Sequence, residues 1–111
     1  MTIQYVDFEK VDIRVGVITA CEDFPQARKP AYKLTIDFGP EVGVKHSSAQ
    51  ITTLYGKSDL IDRKILAVVN FPEKQIGPFV SQVLTLGTPN ESGDVILADP
   101  GQDAVVGARL F

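Results

Sequence analysis

The sequence predicts an all-β fold, a small closed barrel carrying one short helix. Three observations predict it. Apolar and polar residues alternate at strand period through several short runs. Gly and Pro clusters punctuate those runs at close intervals. A single stretch, Ser48 through Ile61, abandons the alternation for helical spacing. No rhythm of strand and long helix is present, so a parallel α/β sheet is not expected, and no internal repeat is found.

The first strand is carried by Val11, Ile13, Val15 and Val17 alternating with Asp12, Arg14 and Gly16, and it runs through Cys21 to a stop near Phe24-Pro25. A polar, Pro-bounded loop follows, from Gln26 to Pro30. Tyr32, Leu34, Ile36 and Phe38 alternate with Lys33, Thr35 and Asp37 in a second strand that ends at the turn signal Gly39-Pro40. Val42 and Val44 begin a third strand leading into Ser47-Ser48, predicted to pair with the second as an antiparallel hairpin. In the irregular stretch, Ile51, Leu54 and Tyr55 sit at helical spacing and Gly56 suits a helix C-terminal stop. Lys64 through Asn70 is a mostly apolar fourth strand, expected to be covered on both faces. Phe71–Gln75 reads as a loop. Residues 79–86 alternate again, and Val95–Ala98 is the last clear strand before a tail that closes on Leu110-Phe111. Five or six short strands with a helix between the third and fourth match the five-stranded OB-fold barrel, here with short N- and C-terminal extensions.

With 111 residues the chain is expected to form one domain, 1–111, large enough to bury a core without disulfides or a structural metal. Cys21 is the only cysteine and has no internal partner, which suits a reducing, cytoplasmic setting. Met1–Lys10 has neither a basic nor an apolar leader segment. No apolar run approaches the roughly 20 residues of a membrane span, so neither secretion nor membrane insertion is expected. The net charge of −3 argues against generic attraction to nucleic acid. Any polyanion must meet a local basic patch.

A search for catalytic parts finds little. There is no Gly-rich phosphate loop, and His46 is the only histidine, so no multi-His metal site exists. A Cys21–His46 dyad is formally available, but Cys21 sits among apolar strand residues where inert packing is the usual fate. Asp and Glu are scattered. The expectation is a non-enzymatic protein with no cofactor and no metal.

Binding features are richer. Arg14 and Lys33 occupy polar strand parity, and Lys45-His46-Ser47-Ser48 offers a cation followed by hydroxyls. Asn70, Lys74, Gln75 and Ser81 cluster around one loop. Phe71, Phe79 and Tyr32 supply faces that can stack on bases or hold apolar peptide side chains.

Several strings together resemble a known family over almost the whole length. Asp12-Ile13-Arg14-Val15-Gly16, Tyr32-Lys33-Leu34, and Val68-Val69-Asn70 followed by Gly77 and Ser81-Gln82-Val83-Leu84 resemble the tRNA-binding domain, an OB module of some aminoacyl-tRNA synthetases and stand-alone tRNA-binding proteins. Phe24-Pro25-Gln26-Ala27-Arg28, Ile36-Asp37-Phe38-Gly39, Ser47–Thr52 and Ala67–Pro72 are similar to its CsaA branch of bacterial export chaperones. The resemblance implies a cytoplasmic homodimer linked to protein export and to holding unfolded chains, with relatives that bind tRNA. By position it points to Lys33, Asn70, Ser81 and Leu84. Leu84 stands where RNA-binding relatives have Met, and the Glu73–Pro78 loop is less basic than theirs. Weak, salt-sensitive RNA binding is expected from so few cations.

Two sets of contact residues follow. For unfolded or precursor polypeptides, Phe71, Ile76, Phe79 and Leu84 supply apolar contacts while Asn70 and Ser81 hydrogen-bond the peptide backbone. For tRNA, the alternative partner, the set is Arg14, Lys33, Lys45, Ser48, Lys74 and Ser81. The apolar ends, Ile3, Tyr5, Val6, Phe8 and Leu110-Phe111, must pack on this barrel or on a partner; the resemblance favours a homodimer.

Overall fold

The computed structural model describes residues 1–111. Its elements run α1 (Tyr5–Glu9), β1 (Ile13–Asp23), β2 (Tyr32–Asp37), α2 (Gly39–Val42), β3 (Val44–Ala49), α3 (Lys57–Leu60), β4 (Lys64–Val68), β5 (Lys74–Ile76), β6 (Phe79–Ser81), β7 (Leu84–Thr85), β8 (Gly87–Pro89) and β9 (Val95–Leu97). Five strands form one antiparallel sheet in the order β3-β2-β1-β4-β7, and two hairpins, β5–β6 and β8–β9, flank it. The sheet curls until its edge strands β3 and β7 meet, giving the nearly closed OB-type barrel with α3 between β3 and β4. No helix is long and apolar enough to cross a membrane.

Alternation explains the core. Leu34 and Ile36 of β2, Ile18 of β1 and Ile65 of β4 point inward and are wholly buried, with Phe38 and Leu60 plugging the interior. A register shift between Ile18 and Ala20 lets the long β1 bend. Its first half, Ile13–Val17, pairs with β4, and its second half, Val17–Asp23, pairs with β2. The edge of the first half is filled by the C-terminal segment: Val15 donates to the Ala108 carbonyl, and Gly107 and Leu110 donate back to Val15 and Ile13.

The β3–β7 seam closes mainly through side chains. Ser47 Oγ and Thr85 Oγ1 lie 2.9 Å apart inside it, and the Ser48 amide donates to Ser81 Oγ at 3.1 Å. Gln82 reaches the same edge, taking the His46 amide on Oε1 at 2.9 Å and donating its own amide to the His46 carbonyl at 2.8 Å.

Several sequence expectations are corrected. Gly56 does not stop a helix but precedes one: α3 begins at Lys57, and the Gly56 amide donates to Asp59 Oδ2 at 2.8 Å. Ile51, Leu54 and Tyr55 are not helical. Tertiary bonds shape that segment, because the Tyr32 hydroxyl donates to the Tyr55 carbonyl and the Tyr55 hydroxyl receives the Leu97 amide. Val42 lies in the turn of α2 rather than in a strand, since Gly39-Pro40 opens a helical turn. The run 79–86 divides into β6 and β7 because its two halves pair with different strands, β5 and β4. Part of the expected Phe71–Gln75 loop is strand β5, and α1 lies outside the one expected helix. Ile3, Tyr5, Val6 and Phe111 are exposed, whereas Phe8 and Leu110 are half-buried and the C-terminal segment is bonded along β1.

Candidate functional site

Hairpin β5–β6, with Lys74 opposite Ser81 and Ile76 opposite Phe79, stands beside the seam. Between it, the end of β3 and hairpin β8–β9 lies a cleft of about 330 Å³. Ile51, Ile76, Val83, Leu84, Val95 and Leu97 form its apolar lining, and Ser48, Gln50, Lys74 and Ser81 border it. An adjoining hollow of about 360 Å³ shares Ser48, Gln50, Lys74 and Ile76 and adds Arg28 and Lys29 from the β1–β2 loop. No acidic side chain lines either half. In a chain of net charge −3 this is a locally cationic concavity next to an apolar one.

The structure brings Lys74, Ile76, Ser81, Leu84 and Ser48 together here. Phe71, half exposed, joins Lys74, Ser81 and Leu84 in a smaller side cleft of about 160 Å³. Ser81 Oγ already accepts the Ser48 amide, which leaves its hydroxyl hydrogen free to donate.

Other members of the two sets lie elsewhere. Lys33 and Phe79 line a separate hollow with His46. There Lys33 Nζ is 3.8 Å from Glu22 and 5.8 Å from the Phe24 ring, and Phe79 meets Phe24 edge-on at 5.3 Å. Lys45 takes the inward parity of β3, opposite to Ser48. Arg14 is committed within the chain. Its guanidinium bonds Asp12 at 2.7 Å, the Gly107 carbonyl at 3.0 Å and Glu41 at 3.4 Å, and the Asp12 hydrogen bond raises its pKa. Asn70 is committed as well, with both ends of its amide on the N-terminal arm. Cys21 and His46 do not pair, because β2 lies between their strands, and burial pushes the Cys21 thiol pKa up.

Arg28, Lys29 and Gln50 were not singled out from the sequence. The two Arg-Lys dipeptides, Arg28-Lys29 and Arg63-Lys64, look alike in sequence. Arg63 lies 4.9 Å from the Tyr55 ring and Lys64 donates to the Gln102 and Ala104 carbonyls, whereas Arg28 and Lys29 are exposed in the Pro-bounded loop without an acidic partner. Only the folded chain separates the spent pair from the free one.

The family model described as "Putative tRNA binding domain" matches residues 13–109. The chain is 32% identical over 108 residues to a methionine–tRNA ligase of Thermococcus onnurineus and 34% identical over 110 residues to one of Bdellovibrio bacteriovorus. Each match covers 97% of this chain but only 14% and 15% of those ligases, so the likeness is to one part of them. Among solved structures, the CsaA chaperone protein of Picrophilus torridus superposes with a TM-score of 0.93 at 52% identity, covering 99% of this chain and all of that one. The chaperone CsaA of Bacillus anthracis gives 0.92 at 46% identity, covering both chains fully. The chain therefore belongs to the tRNA-binding-domain family of OB-fold proteins and groups there with the CsaA proteins.

Proposed function

We propose that this protein is a CsaA-like chaperone that holds unfolded or precursor polypeptides for export, gripping an extended segment in the cleft beside hairpin β5–β6. The observation that carries this reading is the apolar half of the cleft, open to solvent and bordered by Ser48, Gln50 and Ser81. Unfolded chains share apolar side chains and unpaired backbone groups, and such a surface satisfies both. Ile76, Leu84 and Phe71 supply apolar contact, and the Ser81 hydroxyl supplies a donor. Asn70 and Arg14 act as positioning residues for the chain ends rather than as ligand contacts.

A second reading, structure-specific tRNA binding, is favoured by the family itself and by the free cations Arg28, Lys29 and Lys74. Few phosphates can be met by so small a set, so this binding is weak at near-physiological salt. One comparison separates the two. Binding of an unfolded precursor polypeptide and of tRNA is measured in the same buffer at low and near-physiological salt. Peptide binding that survives while tRNA binding vanishes supports the chaperone. Salt-resistant, saturable tRNA binding without peptide binding overturns it.

The protein works in this reading as a cytoplasmic homodimer. What supports the dimer is the exposed apolar surface of Ile3, Tyr5, Val6 and Phe111, which costs about 25 cal/mol for each Å² left in water. Sedimentation of a chain lacking residues 1–9 tests it; a truncated chain that stays dimeric removes the N-terminal arm from the interface.

A further inference from the structure

We infer that the cleft selects by charge pattern. It takes an extended polypeptide segment whose apolar side chains fill the half around Val83, Leu84 and Leu97, and whose acidic side chains meet Arg28, Lys29 and Lys74. This rests on the peptide-binding reading above and specifies its substrate class.

Charge placement is the first argument. Most of the chain's cations are occupied. Lys10, Arg14, Lys33, Lys57 and Arg109 face carboxylates, Lys64 faces carbonyls and Arg63 a ring. Arg28 and Lys29 come from the β1–β2 loop and Lys74 from the start of β5, and the three line one hollow that no carboxylate enters. Like charges gathered without a counter-charge repel, and an acidic ligand relieves that repulsion.

The main chain supplies the second. Outward-facing groups of β3 are covered at His46 by Gln82 and at the Ser48 amide by Ser81. Past that point the edge opens into the cleft: Gln50 follows the last residue of β3, and its amide donates to no group of the chain. An exposed strand edge is a template for an extended segment. No aromatic side chain lines either half, and Phe71 stands alone in the adjoining side cleft, so unpaired bases find no run of stacking faces here.

The test uses the full chain and fluorescent, C-amidated peptides made of leucine and a charged residue, measured by anisotropy at near-physiological salt. One peptide segregates leucines from glutamates, a second replaces the glutamates with lysines, and a third interleaves leucine and glutamate. The segregated glutamate peptide is expected to bind about tenfold more tightly than the lysine peptide, the scale of two or three exposed ion pairs, and more tightly than the interleaved one. In the exposed-surface variant Lys29→Glu/Lys74→Glu the order of the first two is expected to invert. Equal binding of the glutamate and lysine peptides overturns the inference. So does a charge reversal that changes affinity for tRNA alone. If an unfolded polypeptide still binds under either outcome, the chaperone reading stands and only the charge pattern falls; if no polypeptide binds, both fall.

Discussion

Asn70 Oδ1 accepts the amide hydrogen of Asp12 at 3.0 Å and so fixes the point where the N-terminal arm joins the barrel. The same side chain donates from Nδ2 to the Lys10 carbonyl at 2.7 Å, and the Val69 amide adds a bond to the Asp12 carbonyl. Asp12 in turn holds Arg14 and approaches Arg109, which reaches the Glu9 carbonyl. One amide thus ties together the N-terminal arm, β1 and the C-terminal segment.

Asn70→Ala removes both bonds, so a loss of about 1–3 kcal/mol of stability is expected, read as a lower urea midpoint at unchanged slope. If the arms form the dimer interface, the variant also dissociates at higher protein concentration than the parent. Peptide affinity is expected to stay close to the parent's. A loss of affinity without a loss of stability would return Asn70 to the ligand-contacting set.

Gly16 sits where β1 crosses the core. A Cβ there would lie 2.5 Å from Ile36 Cγ2 and 2.7 Å from Phe38 Cε1, both on wholly buried side chains. Gly16→Ala is expected to cost about 1–3 kcal/mol through overpacking, measured by thermal or urea unfolding. A variant as stable as the parent would mean that Ile36 and Phe38 repack freely.

The barrel was legible because its core strands obey simple alternation: β2 reads buried and half-buried in strict turn from Tyr32 to Asp37. What alternation cannot show is pairing partner. Residues 79–86 look like one strand, yet Ser81 and Leu84 belong to different sheets. The helix was placed too early because Ile51 and Tyr55 are apolar for tertiary reasons, while the α3 signal is a single capping carboxylate, Asp59. In the cleft, Lys74, Ser81 and Leu84 are neighbours in space as they are in sequence. Arg28 and Lys29 share a hollow with Lys74 only through the barrel's closure, which alternation along the chain does not show. Arg14 and Asn70 look like ligand residues in one dimension and prove to be engaged within the chain.

The Ser47–Thr85 bond at 2.9 Å lies inside the β3–β7 seam, with Ser47 fully buried. Ser47→Ala strips Thr85 Oγ1 of this partner and is expected to cost about 1–2 kcal/mol, whereas Thr85→Val leaves Ser47 Oγ its longer bond to the Ser48 carbonyl at 3.3 Å and is expected to cost less. The double variant should cost less than their sum, with a coupling of at least about 0.5 kcal/mol. Strict additivity in the unfolding free energies would show that the seam does not depend on this pair.

Cys21 gives a pH-dependent prediction. Burial is the main cause that raises its thiol pKa, Asp23 and Glu22 push the same way, and Lys57 opposes them. The reactive species is the thiolate, so at neutral pH the folded protein reacts with iodoacetamide more slowly than the urea-unfolded chain. The folded chain also holds this proton above the pH at which the unfolded chain releases it. The associated stability is therefore complete below the unfolded thiol's pKa and is lost as pH rises through the folded value. Lys57→Met removes the opposing charge and leaves Asp23 unpaired, since Lys57 Nζ lies 2.8 Å from its carboxylate. The variant's alkylation rate at fixed alkaline pH is expected to fall, followed by mass spectrometry of the quenched protein. A rate equal to that of the unfolded chain across the titration would show that the thiol is neither shielded nor shifted.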